Sequence, residues 1–285
     1  KVGYAIIERR NSTLFLKRRR RKGKDTVKIG IHNWFGYRIE HKERLRLIKE
    51  AGFDSVLLWW CDEPEGDEKD KQSSPDAARA LGLEVENIHA PFDNANLLWT
   101  DDLQAEEIMN RYKQCILYCS VHQIPTTVLH LTGGDTPPPP SELGLQRIKA
   151  LTELAEQKNV NIAMENVRRF EHIQFVFDRI QSDRLGFCYD SGHENCFTKG
   201  ANLLDLFGDR LFALHLHDND ETGDLHLLPG DGTVHWESVM KKIKACHYPG
   251  PLTLEVNTEF TDLYEGLSAS RFLNIAYERI KSMIV

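Results

Sequence analysis

The chain has 285 residues and a mass of 32.8 kDa, long for a small module and short for two full-sized domains, but near the ~250 residues of a (β/α)8 barrel plus an added segment. Hydrophobic residues at 41% and charged residues at 28% exclude a disordered chain, and no apolar run approaches the ~20 residues of a membrane span. The net charge of −7 is uneven: residues 1–24 carry ten Lys/Arg against one acid, Glu8, while the other 26 basic and 42 acidic residues leave the body at −16, a poor partner for nucleic acid, whose binding rests on neutralised phosphates.

Residues 1–26 read as a basic N-terminal extension, a solvated appendage, and residues 27–285 as one domain. Regular patterning starts at 27–32 (VKIGIH), followed by β-rich runs at 55–60, 83–90 and 126–132. Four more lie at 161–167, 184–190, 211–217 and 250–257. Several are nearly continuous in apolar residues, as parallel strands covered on both faces should be.

Helical spacing separates them: Leu45, Ile48 and Ala51, then Ile108, Tyr112, Cys115 and Cys119. Ile148, Leu151 and Ala155 follow, then Val239, Ile243 and Cys246, and a last helix near 267–283. Gly52 and Gly82 are placed to close the first two helices. Ser141, after the Pro137–Pro140 run, is placed to cap the fourth. Strand–helix alternation without a Gly-x-Gly-x-x-Gly first turn predicts a closed α/β barrel, a (β/α)8 TIM barrel, rather than a doubly wound sheet. Six cysteines without a Cys-x-x-Cys pair fit a reduced, cytoplasmic protein.

In such a barrel the chemistry sits at the C-terminal ends of the strands. Those ends carry His32, His89, His130, Glu165, Asp190 with His193, His215 with His217, and Glu255. Any one of them has an ordinary structural explanation. Glu165 and Glu255 resist it most, since each ends an apolar strand, and carboxylates are seldom buried unpaired. A ring of acids converging on one mouth is best stabilised by a divalent cation. Two Glu, one Asp and one His form an oxygen-rich set suited to Mn²⁺ first, with Mg²⁺, Co²⁺ or Zn²⁺ as alternatives. His215 and His217 point the same way, and His217 is preferred as the ligand. Trp34, Phe92, Trp99 and Arg168 are candidates for pocket walls or clamps.

Glu165-Asn166, Tyr189-Asp190-Ser191-Gly192-His193, His215-Leu216-His217-Asp218 and Leu254-Glu255 resemble the xylose-isomerase-like barrel superfamily. Asn87–Phe92 and Pro229–Trp236 add to the likeness, which covers about residues 28–283. The resemblance implies one divalent metal on Glu165, Asp190, His217 and Glu255, with Glu165 and Glu255 doubling as acid/base groups. It implies substrate contacts from His193, and His89, His130, His215, Arg168 and Trp34 join the candidate substrate-binding set.

The activity so implied is a metal-dependent isomerase or epimerase of a sugar or sugar phosphate, with a metal-stabilised enediolate between two proton transfers. Its partner would be a small carbohydrate; neither nucleic acid nor membrane is expected, and homo-oligomerisation is left open. The alternatives are an apurinic endonuclease of the endonuclease IV type and an inosose dehydratase-like lyase. The endonuclease reading calls for further metal ligands, for which His89, His130, His193 and Asp231 are candidates. Its Asp-x-His after strand seven is matched to Asp231-Gly232-Thr233, where the histidine is missing.

Overall fold

The computed structural model describes residues 27–60 and 68–284, so the basic extension 1–26 lies outside the described residues. The strands are β1 (Ile29–His32), β2 (Ser55–Trp59), β3 (Glu84–His89), β4 (Thr126–Leu129), β5 (Asn161–Glu165), β6 (Leu185–Asp190), β7 (Leu211–His215) and β8 (Leu252–Leu254). All pair in parallel, in the order β7-β6-β5-β4-β3-β2-β1-β8. A bridge just past β7, with Leu216 opposite Leu254, brings the two edges together. Leu216 N donates to Thr253 O at 2.8 Å, and Glu255 N to Leu216 O at 3.0 Å. The barrel is thereby nearly closed.

The helices are α1 (His41–Glu50), α2 (Glu68–Ala80), α3 (Ala105–Val121), α4 (Glu142–Lys158), α5 (Glu171–Phe177), α6 (Ser191–Phe197), α7 (Leu203–Phe207), α8 (Trp236–Ala245) and α9 (Ala269–Ser282). Gly52 and Gly82 take left-handed φ values of 106° and 75° where the first two helices stop. Ser141 caps α4, its hydroxyl accepting from Gly144 N at 3.1 Å. The β6–β7 connection departs from one helix per crossover, because it is broken into the short α6 and α7. Among the described residues no helix is long and apolar enough to cross a membrane.

The main apolar core lies between sheet and helices and includes Ile31, Leu45, Tyr112, Ile148, Phe187 and Phe272. The barrel bore holds a separate cluster of small residues, Val128, Ala163, Cys188 and Ala213. Each stands two residues before His130, Glu165, Asp190 or His215, and strand side chains alternate faces. The polar side chains therefore top a packed bore and face the C-terminal mouth.

Candidate active site

The mouth gathers imidazoles around carboxylates that are almost completely buried. Glu165 is 1% exposed, with Oε2 3.1 Å from His89 Nε2, 3.2 Å from His130 Nε2 and 3.1 Å from His215 Nδ1. Its other oxygen is 3.2 Å from His193 Nδ1. Glu255 reaches the same His215 Nδ1 at 3.0 Å, so the two glutamates converge on one imidazole. An adjoining cluster is centred on Asp190, whose two oxygens lie 3.0 and 3.1 Å from His217 Nε2. His193 joins the clusters, because its Nε2 is 3.0 Å from Asp224 Oδ2. The four expected ligands thus share one mouth as two pairs, Glu165 with Glu255 and Asp190 with His217.

Neighbouring strand ends fix these positions. Asn166 accepts from Asp190 N at 2.8 Å and donates to Asp190 O at 2.9 Å, pinning the end of β5 to that of β6. Ser191 Oγ accepts from His217 N at 3.0 Å and donates to His217 O at 2.8 Å. Asp190 also caps α6, accepting from His193 N at 2.6 Å. It therefore fills both the turn-forming and the site role.

The histidines are oriented by backbone. A carbonyl can only accept, so a ring nitrogen facing one carries the proton. His32 Nδ1 donates to Trp34 O at 2.7 Å, His89 Nδ1 to Ala90 O at 2.9 Å, His193 Nδ1 to Asn166 O at 2.9 Å and His226 Nδ1 to Glu255 O at 2.6 Å. With Nδ1 so engaged, each ring turns its Nε2 toward the mouth, the arrangement that prepares imidazole to bind a metal. Among the described residues, His130 Nε2, both His215 ring nitrogens, Glu165 Oε1, Asp224 Oδ1 and His32 Nε2 are buried without an aligned hydrogen-bond partner. Inward ring nitrogens, clustered acids and orphaned polar atoms fit a divalent cation, which would satisfy all three.

Burial alone pushes the Glu165 carboxyl up, but the His215 and His130 imidazoles outweigh it and hold the group well below the usual carboxylate range. Glu255 is likewise lowered, its burial overcome chiefly by His215. His215 itself is raised well above the ordinary imidazole value: burial opposes this, while Cys188 and both glutamates favour the charged ring. His226 is raised to about 9, with Asp224 overcoming burial. His32 is driven down to about 4 by burial. Both glutamates are therefore ionised at neutral pH, as bases must be.

Of the expected substrate contacts, His89, His130, His193 and His215 lie in the ring. Arg168 and Trp34 stand outside it. Arg168 stacks on Phe197 at 3.8 Å and pairs with Asp135 at 2.6 Å, and the Trp34 indole donates to Glu259 at 3.0 Å. Trp99 is buried and donates to Leu131 O. Phe92 does line the mouth, stacked on His130 with ring centroids 4.2 Å apart.

One expectation is corrected. Asp231 faces away from the ring, 2.9 Å from the Tyr264 hydroxyl and 2.6 Å from Arg279. The Asp-x-His that enters the site is Asp224-Leu225-His226. Asp224 Oδ1 is 3.4 Å from His226 Nε2 and 3.6 Å from His217 Nε2. The histidine held to be missing is present at 226, seven residues before position 233 where the matched motif would place it. Sequence reasoning missed both residues, although the spacing itself was the signal.

A (β/α)8 barrel with a mouth lined by histidines and carboxylates is the class that fold and site define. The chain belongs to the xylose isomerase-like TIM barrel family, whose profile matches residues 45–272. Protein y4fM of Sinorhizobium fredii is 36% identical over 135 residues, 45% of this chain and 43% of that protein. A D-psicose 3-epimerase of Enterocloster bolteae is 28% identical over 121 residues, 39% of this chain and 38% of the relative. The chain thus spans less than half the length of these relatives. Among solved structures, the D-psicose 3-epimerase of Clostridium cellulolyticum H10 superimposes with a TM-score of 0.74 at 14% identity, covering 90% of this chain and 99% of that one. The IolI protein with a bound zinc atom gives 0.75 at 17% identity, covering 90% and 98%. These likenesses show a shared fold.

Proposed function

We propose that the protein is a divalent-metal-dependent sugar isomerase or epimerase that moves a carbon-bound proton beside a carbonyl. The observation that carries this reading is the convergence of two glutamates, the buried Glu165 and the partly exposed Glu255, on His215 at the mouth of a barrel related to sugar 3-epimerases. Glu165, Asp190, His217 and Glu255 would hold the cation, which supplies Lewis-acid polarisation of a carbonyl and its neighbouring hydroxyl. One glutamate takes the proton from carbon, and the electron pair moves onto the carbonyl oxygen as an enediolate forms. For isomerisation the same carboxyl, now protonated, returns the proton to the adjacent carbon; for epimerisation the other carboxylate, having taken a proton from solvent, delivers it to the opposite face while the first gives its own back to solvent. Phe92, on His130, offers an apolar face to the sugar. Incubation with Mn²⁺ and a ketose and aldose panel in deuterated water should introduce deuterium at one carbon. No exchange in any sugar would remove the reading.

A hydrolytic reading is favoured by one observation, the arrival of Asp224 and His226 beside His193 and His217. Those residues, with the His89–His130–Glu165 group, are the donors that more than one cation would require. Cleavage of an abasic duplex with every sugar left untouched would replace the first reading.

A further inference from the structure

Between β7 and α8 the chain runs through residues 216–235 without a helix or strand of its own, longer than connections in compact domains usually are. That loop brings Asp224 and His226 to the ring. His226 takes a left-handed φ of 48°, a conformation non-glycine residues keep only where the surroundings impose it.

Asp218 supplies those surroundings. Its side chain is fully buried. Oδ1 accepts from Asn219 N at 3.0 Å and Val234 N at 2.9 Å, and Oδ2 from Gly230 N at 2.9 Å and Trp236 Nε1 at 2.8 Å. A carboxylate offers about four lone-pair sites, and all four are taken. Asp218 therefore has no oxygen left for a cation, although it follows His217 directly. Its backbone exchanges two 2.8 Å hydrogen bonds with Leu227, closing the excursion that carries residues 219–226. Asn219 ties that excursion to α6, donating to Gly192 O at 2.8 Å and accepting from Asn195 at 2.8 Å. Gly232 packs so closely that an added Cβ would lie 2.4 Å from Asp218 Oδ1 and 2.2 Å from Asn219 O.

We propose that Asp218 is the positioning residue of this site: its saturated carboxylate gathers both ends of the β7–α8 loop and so sets Asp224 and His226 against His193 and His217. The inference rests on the proposed metal site only for what the loop serves, not for how Asp218 acts. Asp218→Asn places an amide N–H₂ against at least one pair of N–H donors and should release the loop while the strands hold.

Three measurements test this. The His226 Nδ1–H resonance, held by the Glu255 carbonyl, should vanish from long-range ¹H–¹⁵N spectra of Asp218→Asn. Amides in 219–235 should exchange at least tenfold faster, with strand amides unchanged. Titrated with Co²⁺ alone, Asp218→Asn should show the same altered visible bands as His226→Asn, and the double variant should match His226→Asn, because residues acting through one another are not additive. Trp236→Phe, which removes one of the four donors and keeps the ring shape, should give a smaller change of the same kind and serves if Asp218→Asn does not fold. A native His226 resonance and native loop exchange in both variants would overturn the proposal. Absence of Co²⁺ bands in the unaltered protein overturns the metal reading instead, and the resonance and exchange measurements, which need no metal, then decide the role of Asp218.

Discussion

Gly192, the second residue of α6, lies under the His217 ring. A Cβ built there would stand 1.9 Å from His217 Cε1, 2.3 Å from Nδ1 and 2.6 Å from Nε2. Carbon atoms pack at about 3.5–4.0 Å, so Gly192→Ala requires a shift of roughly 1.5 Å by ring or helix. The His217 backbone cannot yield freely, since Ser191 bonds both its N–H and its carbonyl, nor can Gly192, whose carbonyl accepts from Asn219. The ring should therefore swing away from Asp190. Metal–ligand distances tolerate only ~0.2 Å, and even outer contacts of a ligating histidine are worth about 10- to 100-fold in affinity. Gly192→Ala should weaken Mn²⁺ or Co²⁺ binding by about 100-fold while far-ultraviolet circular dichroism stays native. Isothermal titration with either metal measures it. Native affinity in a folded Gly192→Ala protein would mean that His217 is not a ligand.

Metal analysis of Glu165→Gln and Asp190→Asn should show strong loss of the bound cation, and full occupancy in both would remove the site as drawn. Glu255→Gln, which keeps one oxygen but loses the basicity, should abolish turnover even where excess Mn²⁺ restores occupancy; near-native turnover would end the two-carboxylate mechanism. Lower in the barrel, burial pushes the Glu86 carboxyl from 4.5 to about 7, partly offset by hydrogen bonds from Thr253 and Ser55. A raised folded pKa means that its stabilising contribution is complete below about 4.5 and is lost as the pH rises through about 7. Glu86→Gln stays neutral throughout and should gain on the unaltered protein over that window, by up to about 3 kcal/mol. Parallel urea-midpoint profiles from pH 4 to 8 would refute it.

The barrel was legible because its strands are apolar enough to stand out and because the polar residues fall where the apolar runs stop. That logic placed Glu165, Asp190, His217 and Glu255 at one mouth, and His89, His130, His193 and His215 beside them. It failed where periodicity ends. The β6–β7 connection carries too few spaced apolar residues to declare α6 and α7. Loop 216–235 has no period at all, so beyond the Asp-x-His spacing itself nothing local says that Asp224 and His226 turn inward while Asp231 turns out toward Tyr264 and Arg279. Non-local bonds set that, among them those to Asp218, those of Tyr264 and Arg279 to Asp231, and that of His226 to the Glu255 carbonyl. Trp34 and Arg168 show a related feature. Each lies on the correct face of the barrel, but its partners, Glu259 and Asp135, come from connections after other strands.

Proton transfer and phosphodiester hydrolysis make different demands on the same mouth, and its surroundings favour the first. A polyanion must approach through the loops that follow the strands, and those loops carry Asp135, Asp220, Glu221 and Glu259. Two cations set among them are engaged: Lys199 pairs with Glu221 at 2.6 Å, and Arg168 with Asp135. Field lines from such a rim repel phosphates and leave a neutral polyol untouched. Inside, burial strengthens every interaction of Glu165 and Glu255 with a charge developing on the substrate, which suits removal of a weakly acidic carbon-bound proton. Asp224 remains the exception. Being 30% exposed, it stands between rim and ring, where it can hold a hydroxyl of the sugar as well as a second cation. Its substitution by Asn therefore separates the readings: a sugar isomerase would lose mainly substrate affinity, whereas a hydrolase built on more than one cation would lose metal and turnover together.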